Sequence, residues 1–186
     1  MGRWTPDARG RLAQAAIELY AERGYEGTTV ADIAERAGVT ERTFFRHYAD
    51  KREVLFAGSS AMQEAVLAAI AAAPRDAPPF AVAADGMRAA AALIDSGGGD
   101  FPRRRSAVIA ANPSLQEREL LKLASLASAS GEALRARGVA EPAASLAGQA
   151  AVGAFHVGFA QWIAGPVDAT LASHVDAALR VLPTLA

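Results

Sequence analysis

The stretch from Thr29 to Lys51 constrains the fold of this 186-residue chain more than any other, because its pattern is that of two short helices joined by a tight turn. Thr29 and Asp32 have the spacing of a capping box at a helix start. Gly38 can adopt the left-handed conformation that ends a helix, and Thr40 is a second N-cap. The first helix would bury a face with helical spacing, formed by Val30, Ile33, Ala34 and Ala37.

The second helix is predicted to have one apolar side and one side suited to nucleic acid. Phe44 and Tyr48 are four residues apart and would point inward. Arg42, Thr43 and Arg46 would face solvent. In a helix-turn-helix the N-terminal residues of the second helix contact base edges in the major groove. Arg42 would then pair with guanine O6 and N7, and Thr43 would touch a thymine methyl group or a phosphate.

Residues further along this helix are expected to contact the DNA backbone. Arg46, His47 and Lys51 would hold phosphates, and such contacts fix position rather than sequence. The alternative is a two-helix corner of an ordinary helical protein, in which the Arg and Thr side chains form a solvated surface. Short helix pairs with glycine turns are common enough to keep that alternative open at this point.

The charge of the chain is nearly balanced, with a net charge of −1, so no overall field attracts it to nucleic acid. The window 36–52 is locally basic, with five Arg or Lys residues against Glu41 and Asp50. Binding to DNA should therefore depend on a local surface and weaken with salt. The basic residues near the start of the chain would add phosphate or minor-groove contacts or else form a solvated tail: Arg3, Arg9 and Arg11.

Residues 5–57 resemble the N-terminal part of the TetR family of transcriptional regulators. The segments that carry the resemblance are ERGYEGTTV, IAERAGV and TFFRHYADK. The resemblance implies an all-α protein with a three-helix DNA-binding domain over residues 1–50. A helical domain over residues 51–186 would bind an effector and dimerise, giving about nine helices in total. It also implies a repressor that binds a palindromic operator as a homodimer and is released by a small molecule.

Carried over position by position, the family's DNA contacts fall on Thr29, Thr40, Glu41, Arg42, Thr43, Phe45, Arg46, His47 and Lys51. Two positions depart from the family pattern. Many members have Tyr where this chain has Phe45, so a hydroxyl that contacts phosphate is missing. Ala31 stands where a polar contact residue is often found.

Several classes of site are excluded or unsupported by composition. The chain has no cysteine, which removes disulfides and thiol chemistry, and neither a metal site nor a cofactor is expected. The first residues do not have the apolar core of a signal peptide, so a cytoplasmic location is expected. Residues 142–167 contain no Asp, Glu, Lys or Arg and are long enough to span a bilayer. Their Ala, Gly, Gln and His content favours burial between other helices instead.

The remaining helices follow from the positions of Pro, Gly and capping residues. The first helix is expected from Thr5, with Pro6 at its first turn, to Gly24. The others are expected at 51–73, 80–94, 103–111, 114–137, 142–164 and 169–182. The helix at 51–73 would connect the DNA unit to the rest. The last two helices suit an isologous four-helix dimer interface, unless they pack only within one monomer.

An effector pocket, if the resemblance extends that far, would lie in the C-terminal domain. Its candidate lining consists of Met62, Met87, Phe155, Phe159 and Trp162, with Phe80 and Phe101 nearby, all of which also suit an ordinary core. Arg103, in the triplet 103–105, would hold a carboxylate or phosphate of the ligand or else be solvated surface. His156 is expected to be a buried histidine. Residues 103–163 are also similar to regulators of the mycofactocin type, which implies an acyl or other lipophilic effector.

Two other function classes fit the sequence less well. An enzyme would need a nucleophile, base or metal constellation, and the three histidines have no such partners at a recognisable spacing. A helical adaptor that binds only protein would use the helix pair as a docking surface. Its affinity for DNA would show no salt dependence.

Overall fold

A computed structural model describes residues 8–98, 100–166 and 168–185 of the chain. These residues form nine α-helices and two short 3-10 helices, with no strand among them, as the sequence predicts. The α-helices are α1 (Ala8–Arg23), α2 (Val30–Arg36), α3 (Glu41–His47), α4 (Ser59–Ala72), α5 (Pro79–Gly97), α6 (Phe101–Ala110), α7 (Pro113–Ala136), α8 (Ala143–Ala164) and α9 (Leu171–Val181). The predicted helix start at Thr5 and Pro6 lies outside the described residues, and so does Arg3.

The described residues divide into two compact units, of which the first contains residues 8–59 and 100–118. It holds α1, α2, α3, α6 and the 3-10 helix Glu53–Phe56. Its core combines residues from all of these elements, including Leu12, Ile17, Ile33, Phe44, Val54, Ile109 and Leu115. The unit therefore extends beyond the expected DNA-binding domain of residues 1–50.

Residues 100–118 belong to this first unit through the buried Val108, Ile109 and Leu115 and through two arginines. The Arg105 guanidinium donates a hydrogen bond of 2.6 Å to the Leu55 carbonyl and lies 4.9 Å above the Phe56 ring. Arg118 forms a 2.7 Å ion pair with Glu53. Arg105, the last residue of the arginine triplet 103–105, therefore packs against the 3-10 helix. The sequence spacing of the triplet does not reveal this role of an amphipathic side chain.

The prediction of one continuous helix from residue 51 is wrong in its first turns. The Asp50 carboxylate accepts hydrogen bonds from the backbone N–H groups of Arg52 and Glu53, which starts a tight turn. The 3-10 helix Glu53–Phe56 follows, and α4 begins only at Ser59. A short polar side chain that bonds its own backbone competes with the regular α-helical pattern, and here it changes the helix type.

The second unit contains residues 60–98 and the described residues from 119 onward. Its core is drawn from α4, α5, α7, α8 and α9, with Val66, Ile70, Met87, Leu134, Ala151 and Leu171 among the buried residues. The Asp95 carboxylate, near the end of α5, accepts hydrogen bonds from the backbone N–H groups of Leu171 and Ala172. Since the first N–H groups of a helix lack partners within it, Asp95 caps α9 from another helix.

Helix α8 is the central element of the second unit. A seam of small residues on one side of α8 is buried: Ala147, Ala151, Ala154 and Gly158. On a second side Val152 and Phe155 are buried, and Phe159 and Ile163 are partly buried. The seam permits a close crossing with α9: a Cβ atom on Gly158 would lie 2.8 Å from the Val175 Cα. The third side of α8 is exposed and carries Leu146 and Val157.

Two helical stretches are long and apolar enough to cross a membrane by length and composition. They are Glu53–Ala72, with a mean hydropathy of 1.5, and Ala143–Ala164, with a mean hydropathy of 1.2. The core helix of a soluble protein passes the same test. The second stretch is α8, which contributes nine buried residues to the core described above.

The close crossing of α8 and α9 predicts that Gly158→Ala destabilises the protein. The added methyl group would meet the backbone of α9 rather than a movable side chain, so we expect a loss of about 1–3 kcal/mol in the free energy of unfolding. The matched control is Gly97→Ala, because a Cβ atom there meets no atom within 4 Å. Urea unfolding measures both variants. Equal midpoints for the two would contradict the crossing.

Candidate nucleic-acid interface

Helices α2 and α3 form the predicted helix-turn-helix, with each end capped as expected. The Thr29 hydroxyl accepts from the Asp32 N–H, and the Asp32 carboxylate accepts from the Thr29 N–H, which completes the capping box. Gly38 has φ of 67° in the turn, and the Thr40 hydroxyl accepts from the Thr43 N–H at the start of α3. Both helix starts are therefore fixed by side chains close in sequence.

The inner side of α3 is anchored by aromatic residues. Phe44 is fully buried and Tyr48 is 4% exposed, with their ring centroids 5.7 Å apart. The Tyr48 hydroxyl also donates to the Arg9 carbonyl. Since residues 44 and 48 occupy the same side of the helix, the residues between them are held toward solvent.

The outer side of α3 presents two unengaged guanidinium groups. Arg42 and Arg46 are exposed, and neither has a hydrogen-bond or ion-pair partner in the part of the chain that the structure describes. Glu41 is also exposed, and the Phe45 ring is 56% exposed between the two arginines. An exposed ring flanked by free cations is unusual for a solvated helix face, and it suits a surface that contacts a polyanion with apolar groups.

The threonines predicted to contact DNA are already engaged by caps. The Thr29 hydroxyl lies 2.6 Å from an Asp32 oxygen and donates to it, and this hydrogen bond holds the pKa of Asp32 below its usual range. The Thr40 and Thr43 hydroxyls lie 3.1 Å apart. Thr29 can therefore contact DNA only through its methyl group and one remaining lone pair of its hydroxyl oxygen. Thr43 is half-buried, and its hydroxyl is hydrogen-bonded to the Thr40 hydroxyl.

His47 is half-buried, and its ring nitrogens are not equivalent. Nε2 is covered and has no hydrogen-bond partner among the described residues. A covered ring nitrogen without a partner is unfavourable whether it carries a proton or a lone pair.

Lys51 has internal partners that the sequence did not predict. Its ammonium donates to the carbonyls of Tyr25 and Thr28, at 2.9 and 3.0 Å, and lies 4.4 Å from the centroid of the Tyr25 ring. Its own carbonyl accepts a 2.6 Å hydrogen bond from the Tyr20 hydroxyl. Burial raises the pKa of that hydroxyl far above its ordinary value, so Tyr20 remains a donor.

The local basic surface is narrower than the window 36–52 suggests. Arg36 forms a bidentate pair with Glu22, which holds the pKa of Glu22 below its usual range. Burial acts to raise the pKa of Asp50, but the hydrogen bonds from Arg52 and nearby backbone groups outweigh it and lower that pKa. The cations of this window that remain unengaged are those of α3.

The expectation that the arginines near the start of the chain form a solvated tail is wrong for Arg9 and Arg11. Arg9 and Arg11 lie in α1 rather than in a tail. The Arg9 guanidinium donates to the Ala57 carbonyl and the Arg11 guanidinium to the Ala37 carbonyl. Both side chains therefore help to pack the first unit.

The candidate effector residues fall into different units. Arg103 lies in α6 of the first unit, and the other five lie in the second. Three of those five are buried in its core: Met87, Phe155 and Trp162. Met62 and Phe159 are partly buried against the same core. A cleft of about 190 Å³ in this unit lies elsewhere, between α7 and α8, and is lined by Gly131, Glu132, Arg135, Ser145 and neighbours.

His156 is exposed, so the expectation of a buried histidine is wrong. Helix α8 is uncharged all round, but only two of its three sides are covered within the second unit. Composition cannot distinguish those sides, because the exposed one also carries Leu146 and Val157.

The sequence of the first unit has recognisable relatives. The profile of the family described as bacterial regulatory proteins, tetR family, matches residues 12–57, which include α2, α3 and the 3-10 helix. These 46 of the 186 residues are therefore similar to a family of bacterial regulatory proteins.

TcmR of Streptomyces glaucescens, an HTH-type transcriptional regulator, is 42% identical to this chain over 89 residues. The match covers 48% of this chain and 39% of TcmR, so it spans less than half of that relative's length.

Two solved structures share the fold over nearly the whole chain. FadR of Thermus thermophilus, a TetR-family repressor in complex with lauroyl-CoA, has a TM-score of 0.52 at 24% identity, covering 94% of this chain and 93% of that one. The fatty acid degradation regulator FadR of Bacillus halodurans has a TM-score of 0.62 at 16% identity, covering 97% and 96%. These likenesses establish the all-helical TetR-like architecture.

Proposed function

We propose that this protein is a ligand-responsive transcriptional regulator that binds a palindromic operator as a homodimer. The observation that carries the proposal is the outer side of α3, where Arg42 and Arg46 are exposed and unengaged among the described residues. Seven other arginines of the first unit bind carboxylates or carbonyls: Arg9, Arg11, Arg23, Arg36, Arg52, Arg105 and Arg118. Its target, chromosomal DNA, would place the protein in the cytoplasm.

In the proposed complex α3 lies in the major groove with its N-terminal turn toward the bases. Arg42 pairs with guanine O6 and N7, and the exposed Phe45 ring packs against a thymine methyl group, a contact that a missing hydroxyl does not impair. Arg46 and His47 bind phosphates. The remaining members of the proposed contact set lie around them: Thr29, Thr40, Glu41 and Thr43.

The proposed dimer uses the third side of α8. Leu146 is 63% exposed and Val157 53% exposed, and Gly153 between them has open space around it. Because the other two sides of α8 are occupied within the unit, a second copy is the partner that an isologous contact would bring to this side. A two-fold axis there lets two α3 helices read half-sites one helical turn apart, a spacing of about 34–36 Å.

We further propose that the protein is a repressor and that a small lipophilic effector, with an acyl chain as first candidate, lowers its affinity for DNA. Support comes from the lauroyl-CoA bound to Thermus thermophilus FadR and from the aromatic row on α8. In that row Phe155 and Phe159 stack with centroids 6.3 Å apart, and Phe159 contacts Trp162 at 5.7 Å. An effector acts by binding the state of low DNA affinity more tightly than the other.

The DNA contacts predict different effects for two exposed arginines. Arg46→Ala should weaken binding to all duplexes and reduce the slope of log K against log salt by about 1.8, because the homodimer loses two phosphate contacts, each contributing about 0.9. Arg42→Ala should also relax base preference at one position of each half-site, at a cost of about 1–3 kcal/mol. Selection from a random duplex pool, followed by titration across a salt series, measures both. Unchanged binding in both variants would contradict the assignment.

The proposed dimer predicts that Leu146→Glu combined with Val157→Glu yields a monomer, since two carboxylates would be buried at a two-fold contact. Sedimentation velocity measures the state. The matched control is Leu120→Glu, a leucine on α7 that is 59% exposed and lies outside the proposed interface. A wild-type monomer, or a doubly substituted dimer, would contradict the proposal.

The proposed effector class predicts that lauroyl-CoA dissociates the protein from its selected duplex, whereas CoA without an acyl chain does not. Burial of the acyl chain stabilises the complex of protein and ligand by about 0.8 kcal/mol for each methylene group, and CoA alone lacks this acyl chain. Fluorescence anisotropy of a labelled duplex measures the release. A complex that is equally stable with both compounds would argue against an acyl effector.

A further inference from the structure

The Lys51 ammonium has partners within the protein, whereas a side chain that contacts phosphate presents its charge to solvent. Two of the three N–H groups of its ammonium are directed to the carbonyls of Tyr25 and Thr28, and the third side of the cation faces the Tyr25 ring. These contacts are partly buried, and hydrogen bonds from a charged donor are stronger there than in water. A phosphate would have to compete with partners that are already in place.

The two carbonyls belong to the loop that leads into α2. This loop leaves α1 through Gly24, which has φ of 78°, and reaches Thr29, the N-cap of α2. Thr28 is fully buried, and its hydroxyl donates to the Gly24 carbonyl at 2.8 Å. The loop therefore folds its carbonyls toward one point, and the ammonium occupies that point.

The backbone of Lys51 is held as firmly as its side chain. Its carbonyl accepts from the Tyr20 hydroxyl, and the rings of Tyr20 and Tyr25 meet edge to face with centroids 5.3 Å apart. Lys51 follows α3 by four residues. It thus connects the segment after α3 to the loop before α2, at the two outer ends of the helix-turn-helix.

We propose that Lys51 is a positioning residue for DNA binding: it sets the placement of the α2 start relative to α3 by bonding the loop carbonyls, and it is not a phosphate contact. The proposal rests on the proposed function and revises the role expected for Lys51 from the sequence. Without the ammonium, two partly buried carbonyls lose their charged donor, and the loop that carries Thr29 is no longer tied to the end of α3. The surface that meets DNA then loses its preorganised shape.

Salt dependence separates the two roles, because each phosphate contact contributes about 0.9 to the slope of log K against log salt. The test compares Lys51→Met, which keeps an unbranched stem, with Arg46→Met on the exposed side of α3, in the full-length protein. We expect Arg46→Met to reduce the slope by about 1.8, because the homodimer loses one phosphate contact in each half-site. We expect Lys51→Met to lower the affinity about tenfold at every salt concentration with the wild-type slope.

Circular dichroism at the titration temperature establishes that each variant is folded. A slope that falls by about 1.8 in Lys51→Met, one phosphate contact for each protomer of the homodimer, would overturn the proposal in favour of a phosphate contact. Wild-type affinity in folded Lys51→Met would overturn it in favour of a role in stability alone.

Lys51→Arg keeps the test decisive where Lys51→Met does not fold. Arg retains the charge and binds phosphate well, but its planar fork does not reproduce a compact ammonium between two carbonyls. We expect reduced affinity with an unchanged slope, and affinity equal to the wild type would contradict positioning. Failure of the proposed function is recognised separately, because wild-type protein would then show no salt-dependent binding to any duplex.

Discussion

The burial of Phe44 and Tyr48 is the constraint on which the proposed DNA surface depends. Both rings lie in the core of the first unit, and the Tyr48 hydroxyl is bonded to the Arg9 carbonyl in α1. A seven-residue helix has little stability of its own, so tertiary packing determines its orientation. Because these two rings are fixed inward, the side chains of Arg42 and Arg46 face solvent.

The arginine side chains of the first unit include some that bind carboxylates or carbonyls and others that have no such partner among the described residues. Arg36 binds Glu22, Arg118 binds Glu53, and Arg105 binds the Leu55 carbonyl. Such pairs add no field toward an external polyanion. The two arginines on the outer side of α3 remain available, so a chain with a net charge of −1 can still offer a local site for DNA.

Features that depend on residues close in sequence were predictable. The caps at Thr29 and Thr40, the glycine in the turn at Gly38 and the buried face of α2 follow from spacing of a few residues. Features that depend on partners far apart in the sequence were not predictable. The addition of α6 to the first unit rests on the burial of Val108 and Ile109 and on contacts between Arg105 and residues fifty positions earlier, and no local pattern encodes these partners.

The role of Lys51 shows the same limit at the candidate site. Its charge and position predicted a phosphate contact, whereas its partners are carbonyls more than twenty residues away. The break before α4 was missed for a local reason, since Asp50 bonds the next backbone N–H groups and favours a 3-10 turn. For α8, uniform apolar composition concealed which side is exposed.

Methylation interference on a selected duplex tests most directly whether the outer side of α3 enters the major groove. Dimethyl sulfate modifies guanine N7 in the major groove and adenine N3 in the minor groove. The account predicts that N7 methylation of guanine in each half-site blocks binding of the wild type, and that Arg42→Ala becomes insensitive at one of those guanines. Interference confined to adenine N3, or absent from both grooves, would contradict it.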